Sequence, residues 1–167
     1  MMKKSVSEEI VHPIPPFYDQ SSRILILGSF PSVKSRESGF FYGHPQNRFW
    51  RVLSTVFGES VPETIEEKKA QLLTHRVALW DVIASCRITG SSDSSIRDAV
   101  PNDVATLLSQ TDVRAIFTNG KTAQALYDKH LLPTLGIHAL CLPSTSPANA
   151  AWSMEQLTQA WQAVTLK

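Results

Sequence analysis

The chain reads as an α/β protein: a three-layer α/β/α sandwich around a central four-stranded, mostly parallel sheet. Three observations predict it. Four short continuous apolar runs recur along the 167 residues, the pattern of strands buried on both faces. Segments with helical spacing lie between the runs, as crossover connections in parallel sheets require. Each run also stops at a small polar loop, and in parallel sheets such loops gather at one edge, where ligands bind.

The elements follow in order. Residues 1–22 are expected to be an irregular lead-in, because His12-Pro13-Ile14-Pro15-Pro16 disfavours both helix and central strand. Ile24-Leu25-Ile26-Leu27 forms the first strand and ends at Gly28. A helix is expected to start at Pro45, with Phe49, Leu53, Val56 and Phe57 on its buried face. A second helix spans about 62–74, opened by Pro62. Val77-Ala78-Leu79-Trp80-Asp81-Val82 is the second strand, and a polar loop over 85–95 follows it. Val104, Leu107 and Leu108 mark a third helix after Pro101-Asn102-Asp103. Ala115-Ile116-Phe117-Thr118 is the third strand, followed by a helix from Lys121. His138-Ala139-Leu140-Cys141-Leu142 is the fourth, followed by a last helix over about 150–164 with Asn149 as its N-cap.

Composition narrows the function. The length suits one domain with a sizeable core. A formal net charge of +1 argues against a polybasic coat but allows a local basic groove. Cys86 and Cys141 are the only cysteines, too few for a disulfide framework, a four-cysteine zinc site or a four-cysteine iron–sulfur cluster. A reduced, cytoplasmic setting is expected. The lysines near the N-terminus precede no apolar core, so no signal peptide is read there. No apolar run approaches the ~20 residues of a membrane-spanning helix.

Three loops carry the chemistry. Gly28-Ser29-Phe30-Pro31-Ser32 offers close backbone approach, amides and an aromatic face, or else a turn with Phe30 in the core. Gly43-His44-Pro45-Gln46-Asn47-Arg48-Phe49-Trp50 places an amide, a guanidinium and two aromatics at a helix start, where unpaired donors favour anions. There Asn47 is a chemical group or a cap, and Arg48 and Arg51 are candidate phosphate contacts. Pro143-Ser144-Thr145-Ser146-Pro147 is stiff, small and uncharged, suited to entering a groove or to connecting rigidly to the last helix. Asp81, at a strand's carboxyl end, is a candidate general base or a holder of neighbouring loops. Gly120-Lys121-Thr122 lacks the earlier glycine of a P-loop, which leaves Lys121 as a phosphate contact at a helix start. No Gly-x-Ser-x-Gly elbow is present, and His44, His75 and His138 show no metal-ligand spacing. No metal or cofactor is expected.

Taken together, the three loops resemble those of the uracil-DNA glycosylase superfamily. The closest likeness is to its hypoxanthine-DNA (deoxyinosine) glycosylase branch, which pairs Gly-Ser-Phe-Pro-Ser with Asn-Arg-Phe-Trp and Pro-Ser-Thr-Ser-Pro-Ala-Asn. Trp80-Asp81-Val82 and Gly90-Ser91-Ser92-Asp93-Ser94 also fit that branch. The resemblance covers about residues 12–165. Phe30 stands where the mismatch-specific uracil/thymine glycosylases carry a catalytic asparagine, and Leu142 where classical uracil glycosylases carry a histidine.

The resemblance implies a monofunctional glycosylase that hydrolyses the N-glycosidic bond of a deaminated base. Its partner would be damaged double- or single-stranded DNA, bound by a monomer. It puts Gly28, Ser29, Phe30, Pro31 and Ser32 around the flipped base, with Phe30 stacked on it. Asn47 would position the attacking water or bond the base, and Asp81 is the second candidate for the water. Arg48, Arg51, Lys121, Ser144, Thr145, Ser146 and Pro147 would meet DNA. A mismatch-specific uracil glycosylase, a non-catalytic DNA binder that kept the fold, and a hydrolase of free nucleosides are the alternatives.

Overall fold

The computed structural model describes residues 8–166. In chain order the elements are β1 Glu8–Val11, β2 Ile24–Gly28, α1 Val33–Ser38, α2 Phe49–Phe57, α3 Ile65–Thr74, β3 Val77–Asp81, β4 Ile83–Ile88, β5 Arg97–Pro101, α4 Val104–Ser109, β6 Ala115–Asn119, α5 Lys121–His130, α6 Leu132–Leu135, β7 Leu140–Leu142 and α7 Met154–Trp161. The four apolar runs form one parallel sheet in the order β3-β2-β6-β7. β2 is interior and buried at every residue, which is why it shows no polar alternation.

Alternate residues of β2 face opposite layers. Ile24 and Ile26 pack with Phe49, Trp50, Leu53, Leu72, Leu157 and Trp161, from α2, α3 and α7. Leu25 and Leu27 pack with Val104, Leu107 and Tyr127 from α4 and α5, and with Ile83, Cys86 and Ile88 of β4. The sandwich therefore has its expected layers, with one addition: a small antiparallel sheet, β1-β4-β5, covers part of the second face.

That addition corrects two expectations. The lead-in is not irregular throughout, because Glu8–Val11 pairs with β4, Glu8 opposite Ile88. The prolines that argued against a strand lie just after it. The loop expected over 85–95 is shorter, since β4 runs to Ile88 before the turn into β5. β4 is uneven in burial and irregular in register with β5, so it carries no clean period to read.

Helix starts also move, each for a capping reason. α2 begins at Phe49, not Pro45, because residues 44–48 form a turn closed by Asn47 N–H donating to His44 O (2.9 Å). α3 begins at Ile65, where Thr64 accepts from Glu67 N–H. α7 begins at Met154, where Ser153 and Gln156 form a reciprocal capping box. Asn149 is not the cap; its Nδ2 donates to Ser144 O (2.9 Å).

The parallel register aligns the strand ends. Gly28 pairs with Asp81, and Asn119 with Leu142, so the 28–32 and 143–147 loops leave from one edge, and Asp81 and Asn119 end beside them. Leu27, fully buried in β2, sets the expected scale: Leu27→Ala should lose about 3 kcal/mol of unfolding free energy. Ser153→Ala should lose about 1 kcal/mol through its cap alone. Urea unfolding of the two variants measures both.

Candidate active site

A cavity of about 330 Å³ opens at that edge, within the ~300–1,000 Å³ usual for ligand pockets. Gly28, Ser29, Phe30, Pro31 and Ser32 form one wall, and residues 144–148 form another. Asn47 and Asp81 both reach it, together with Phe41, Tyr42, Asp93 and Asn119.

Asn47 is fixed by a chain of hydrogen bonds. Its Oδ1 accepts from Phe49 N–H (2.9 Å) and from Thr145 Oγ1 (2.8 Å). Thr145 Oγ1 in turn accepts from Asn119 Nδ2 (2.9 Å), while Asn119 Oδ1 accepts from Thr145 N–H (3.0 Å). The two backbone donors settle both amide orientations, because an N–H can face only the oxygen. Asn47 is therefore a cap for the start of α2 and a pocket group at once. Its oxygen already accepts two bonds, and its remaining donor capacity lies on Nδ2.

Thr145 is fully buried and acts as the bridge between two amides, not as a surface contact. The rest of its loop is braced from several sides. Arg48 N–H donates to Thr145 O (3.0 Å) and Trp161 Nε1 to Pro143 O (2.9 Å). The Arg48 guanidinium donates to Trp152 O (2.5 Å) and Asn149 O (3.0 Å). Arg48 is thus occupied in holding the loop, which a phosphate contact would compete with. Arg51 and Lys121 are exposed and lie outside the cavity wall. Ser144 accepts from Ser146 N–H through its Oγ (3.1 Å), and Pro147 is exposed on the cavity wall.

Asp81 is 3% exposed, and its Oδ2 meets His12 Nε2 at 2.7 Å. Ile14 N–H donates to His12 Nδ1 (3.2 Å), so Nε2 carries the ring proton and donates to the carboxylate. Asp81 Oδ1 has no hydrogen-bond partner among the described residues and lies against Gly28, where a Cβ would sit 2.4 Å away. Only glycine fits beside that oxygen.

The 28–32 loop is anchored as well as open. Ser29 Oγ donates to Asp93 Oδ1 (2.7 Å), and Ser32 caps α1 by accepting from Ser35 N–H (3.1 Å). Phe30 packs its ring edge-on with His12 at 5.7 Å, and the Arg36 guanidinium sits over the ring at 5.8 Å. Loss of water around the Asp93 carboxyl pushes its pKa up; the Ser29 bond opposes this and the Asp81 charge adds to it.

Several of these groups escaped the sequence reading. His12 sat in a segment read only as proline-rich, and Asp93 in a motif quoted only for likeness. Asn119 was visible as a strand end before a glycine, the one usable signal among them. Tyr42 left no signal, since a backbone φ of +54° at a tyrosine follows from tertiary packing. Among the described residues, no group of three or more His, Cys, Asp or Glu could hold a metal ion. Nor is any described helix long and apolar enough to cross a membrane.

A parallel-sheet sandwich with amide, carboxylate and aromatic groups in one strand-end cavity defines a class, and comparison with known proteins agrees. The family model for the uracil DNA glycosylase superfamily matches residues 15–165, and the chain belongs to that superfamily. Two curated relatives are each named hypoxanthine DNA glycosylase. That of Methanosarcina acetivorans is 38% identical over 152 residues, covering 90% of this chain and 94% of its own. That of Methanosarcina barkeri is 30% identical over 149 residues, covering 88% and 92%. A solution NMR structure from Methanosarcina acetivorans, described as a candidate uracil DNA glycosylase, superposes with a TM-score of 0.77 at 33% identity. It covers 93% of this chain and 99% of that one.

Two measurements check the site's construction. Thr145→Val keeps the shape but leaves Asn119 Nδ2 and Asn47 Oδ1 short of a partner, so denaturant unfolding should show a loss of about 1–3 kcal/mol. For Asp93, a folded pKa raised above the unfolded one penalises the folded state at pH above it, and the penalty disappears as pH falls through it. Asp93→Asn, which can still accept from Ser29, should therefore raise the melting temperature slightly at mildly alkaline pH. The gain should shrink on acidification; a gain that grows instead would contradict the assignment.

Proposed function

We propose that this protein is a monofunctional DNA glycosylase that removes hypoxanthine from deoxyinosine in DNA, acting as a monomer in base excision repair. The observation that carries the reading is the fixed Asn47 amide facing a cavity that also holds Asp81 and aromatic walls, in a chain whose curated relatives are named for hypoxanthine. A base in duplex DNA cannot be reached in the stack, so the nucleotide is extruded at a cost of a few kcal/mol, less for a poorly paired deaminated base.

Once extruded, the purine lies against Phe30 and Tyr42. Both rings line the cavity, Tyr42 with one face stacked on Phe49 at a ring separation of 4.0 Å and Phe30 with the Arg36 guanidinium over it. As the bond from C1′ to the base breaks, negative charge builds on the purine. Donors held rigidly toward its acceptors then gain strength in a low-dielectric pocket. Asn47 Nδ2 suits that task, and amides of the 28–32 loop add to it. Because Asn47 Oδ1 is already engaged, the water falls to Asp81, whose Oδ1 has acceptor capacity and whose orientation His12 holds. An amide near neutral pH takes up no proton, so Asn47 acts by donation and positioning.

Arg51 and Lys121 are the exposed cations proposed to meet the DNA backbone, and Ser144, Ser146 and Pro147 the loop groups proposed to enter the minor groove. Arg48 supports that loop from behind. The setting proposed for the enzyme is cytoplasmic.

Labelled duplexes carrying inosine, uracil, xanthine or 3-methyladenine, treated with alkali after incubation, test the reading. Strand scission is expected at inosine, and silence on every lesion would sink it. Asn47→Ala should cut the single-turnover rate about 10²- to 10³-fold, the size of losing one transition-state donor, with duplex binding retained. Full activity in a folded Asn47→Ala protein would remove Asn47 from the chemistry.

A further inference from the structure

We propose that the Tyr42 hydroxyl is the second group holding the attacking water, together with Asp81, in the cavity that both line beside Gly28. The inference deepens the glycosylase reading and rests on it. Three independent observations converge on that place.

The first is the backbone. Tyr42 adopts φ +54°, in the left-handed region that a bulky aromatic residue seldom enters. Such strain persists where surrounding structure enforces it. Here the enforcement is visible: the Tyr42 ring stacks on Phe49 at 4.0 Å and 19°, and the next residue, Gly43, donates its N–H to buried Ser35 Oγ (2.9 Å). The chain is held so that this ring reaches the cavity.

The second is the hydroxyl, which is buried with no hydrogen-bond partner among the described residues. Asn119 comes near: its Oδ1 is taken by Thr145 N–H and one hydrogen of its Nδ2 by Thr145 Oγ1, so it offers the Tyr42 oxygen only its second Nδ2 hydrogen and leaves no acceptor for the phenol's proton. A phenol needed only for packing would be better replaced by phenylalanine, since a buried unpaired donor is costly. Burial first, and then the Asp81 charge, push the Tyr42 pKa well up, so the group remains a donor.

The third is Gly28. A Cβ on this residue would lie 2.4 Å from Asp81 Oδ1 and 3.2 Å from the Tyr42 hydroxyl, so both oxygens close on the same point of the cavity wall and only glycine allows that approach. A carboxylate acceptor and a phenol donor thus stand within reach of one water in the cavity that both line. A water there donates to Asp81 and accepts from Tyr42, which leaves a lone pair for C1′. As the water oxygen bonds to C1′, the C1′–N9 bond breaks and its electron pair leaves with the purine. The water's proton passes to Asp81, and the purine anion is protonated from solvent.

Tyr42→Phe keeps the ring and its stacking and removes only the oxygen. On the inosine duplex, its single-turnover rate should fall about 10- to 100-fold. Inhibition by free hypoxanthine should be unchanged, and the melting temperature equal or higher. Because both groups hold one water, adding Asp81→Asn to Tyr42→Phe should cost less than the product of the single losses. A full wild-type rate in Tyr42→Phe would overturn the proposal. So would a rate loss matched by equal loss of hypoxanthine inhibition, which would put the hydroxyl on the base, or a fully multiplicative double variant. A wild-type protein inactive on every lesion would instead defeat the parent reading.

Discussion

The site hangs on one buried hydroxyl, Thr145 Oγ1. It accepts from an amide at the end of β6, 26 residues away, and donates to an amide before α2, 98 residues away. Because Thr145 N–H and Phe49 N–H dictate which atom of each amide faces inward, Asn47 has one orientation available. An amide that must donate at a defined point gains from such fixing, since it has no reorganisation left to do during the reaction. The bracing by Arg48 and Trp161 then serves the same end at longer range, keeping the Pro143–Ser144–Thr145 backbone where the bridge can form.

The proposed division of labour between amide and carboxylate follows from this saturation. An asparagine with a free oxygen could hold water; one whose oxygen accepts two bonds offers donors. A carboxylate with one oxygen tied to histidine and the other unpaired offers an acceptor. The two side chains are thus complementary: one suits a departing purine that gathers negative charge, the other a water that must give up a proton. Two carboxylates near one cavity also repel phosphate, which favours cations outside it, such as the exposed Arg51 and Lys121, as the proposed contacts to the DNA backbone.

How much of this was legible in the sequence depends on the range of the interaction. The strands of the central sheet were readable because burial on both faces leaves uninterrupted apolar runs such as Ile24-Leu25-Ile26-Leu27. The pocket-lining loops were readable because parallel strands deliver their ends to one edge. β1, β4 and β5 were not: β1 is mostly exposed and β4 is uneven, so neither shows a period. Local competition hid the helix starts, as where the Ser153–Gln156 box displaced Asn149. The His12–Asp81 pair spans 69 residues and the Asn47–Thr145 bond 98, separations at which no spacing rule operates.

Several features of this edge oppose folding: a tyrosine in the left-handed region, its unpaired hydroxyl, and an aspartate with a raised pKa beside a second carboxylate. None improves packing. They are tolerated because β2 beneath them is buried throughout and is packed on both faces. The sheet supplies stability by area, and the edge holds polar groups that the protein alone leaves partly unpaired. Such groups are where a ligand or water gains most, because binding then satisfies atoms already removed from bulk solvent. The residues that cost the fold most at this edge are accordingly the ones that face the cavity.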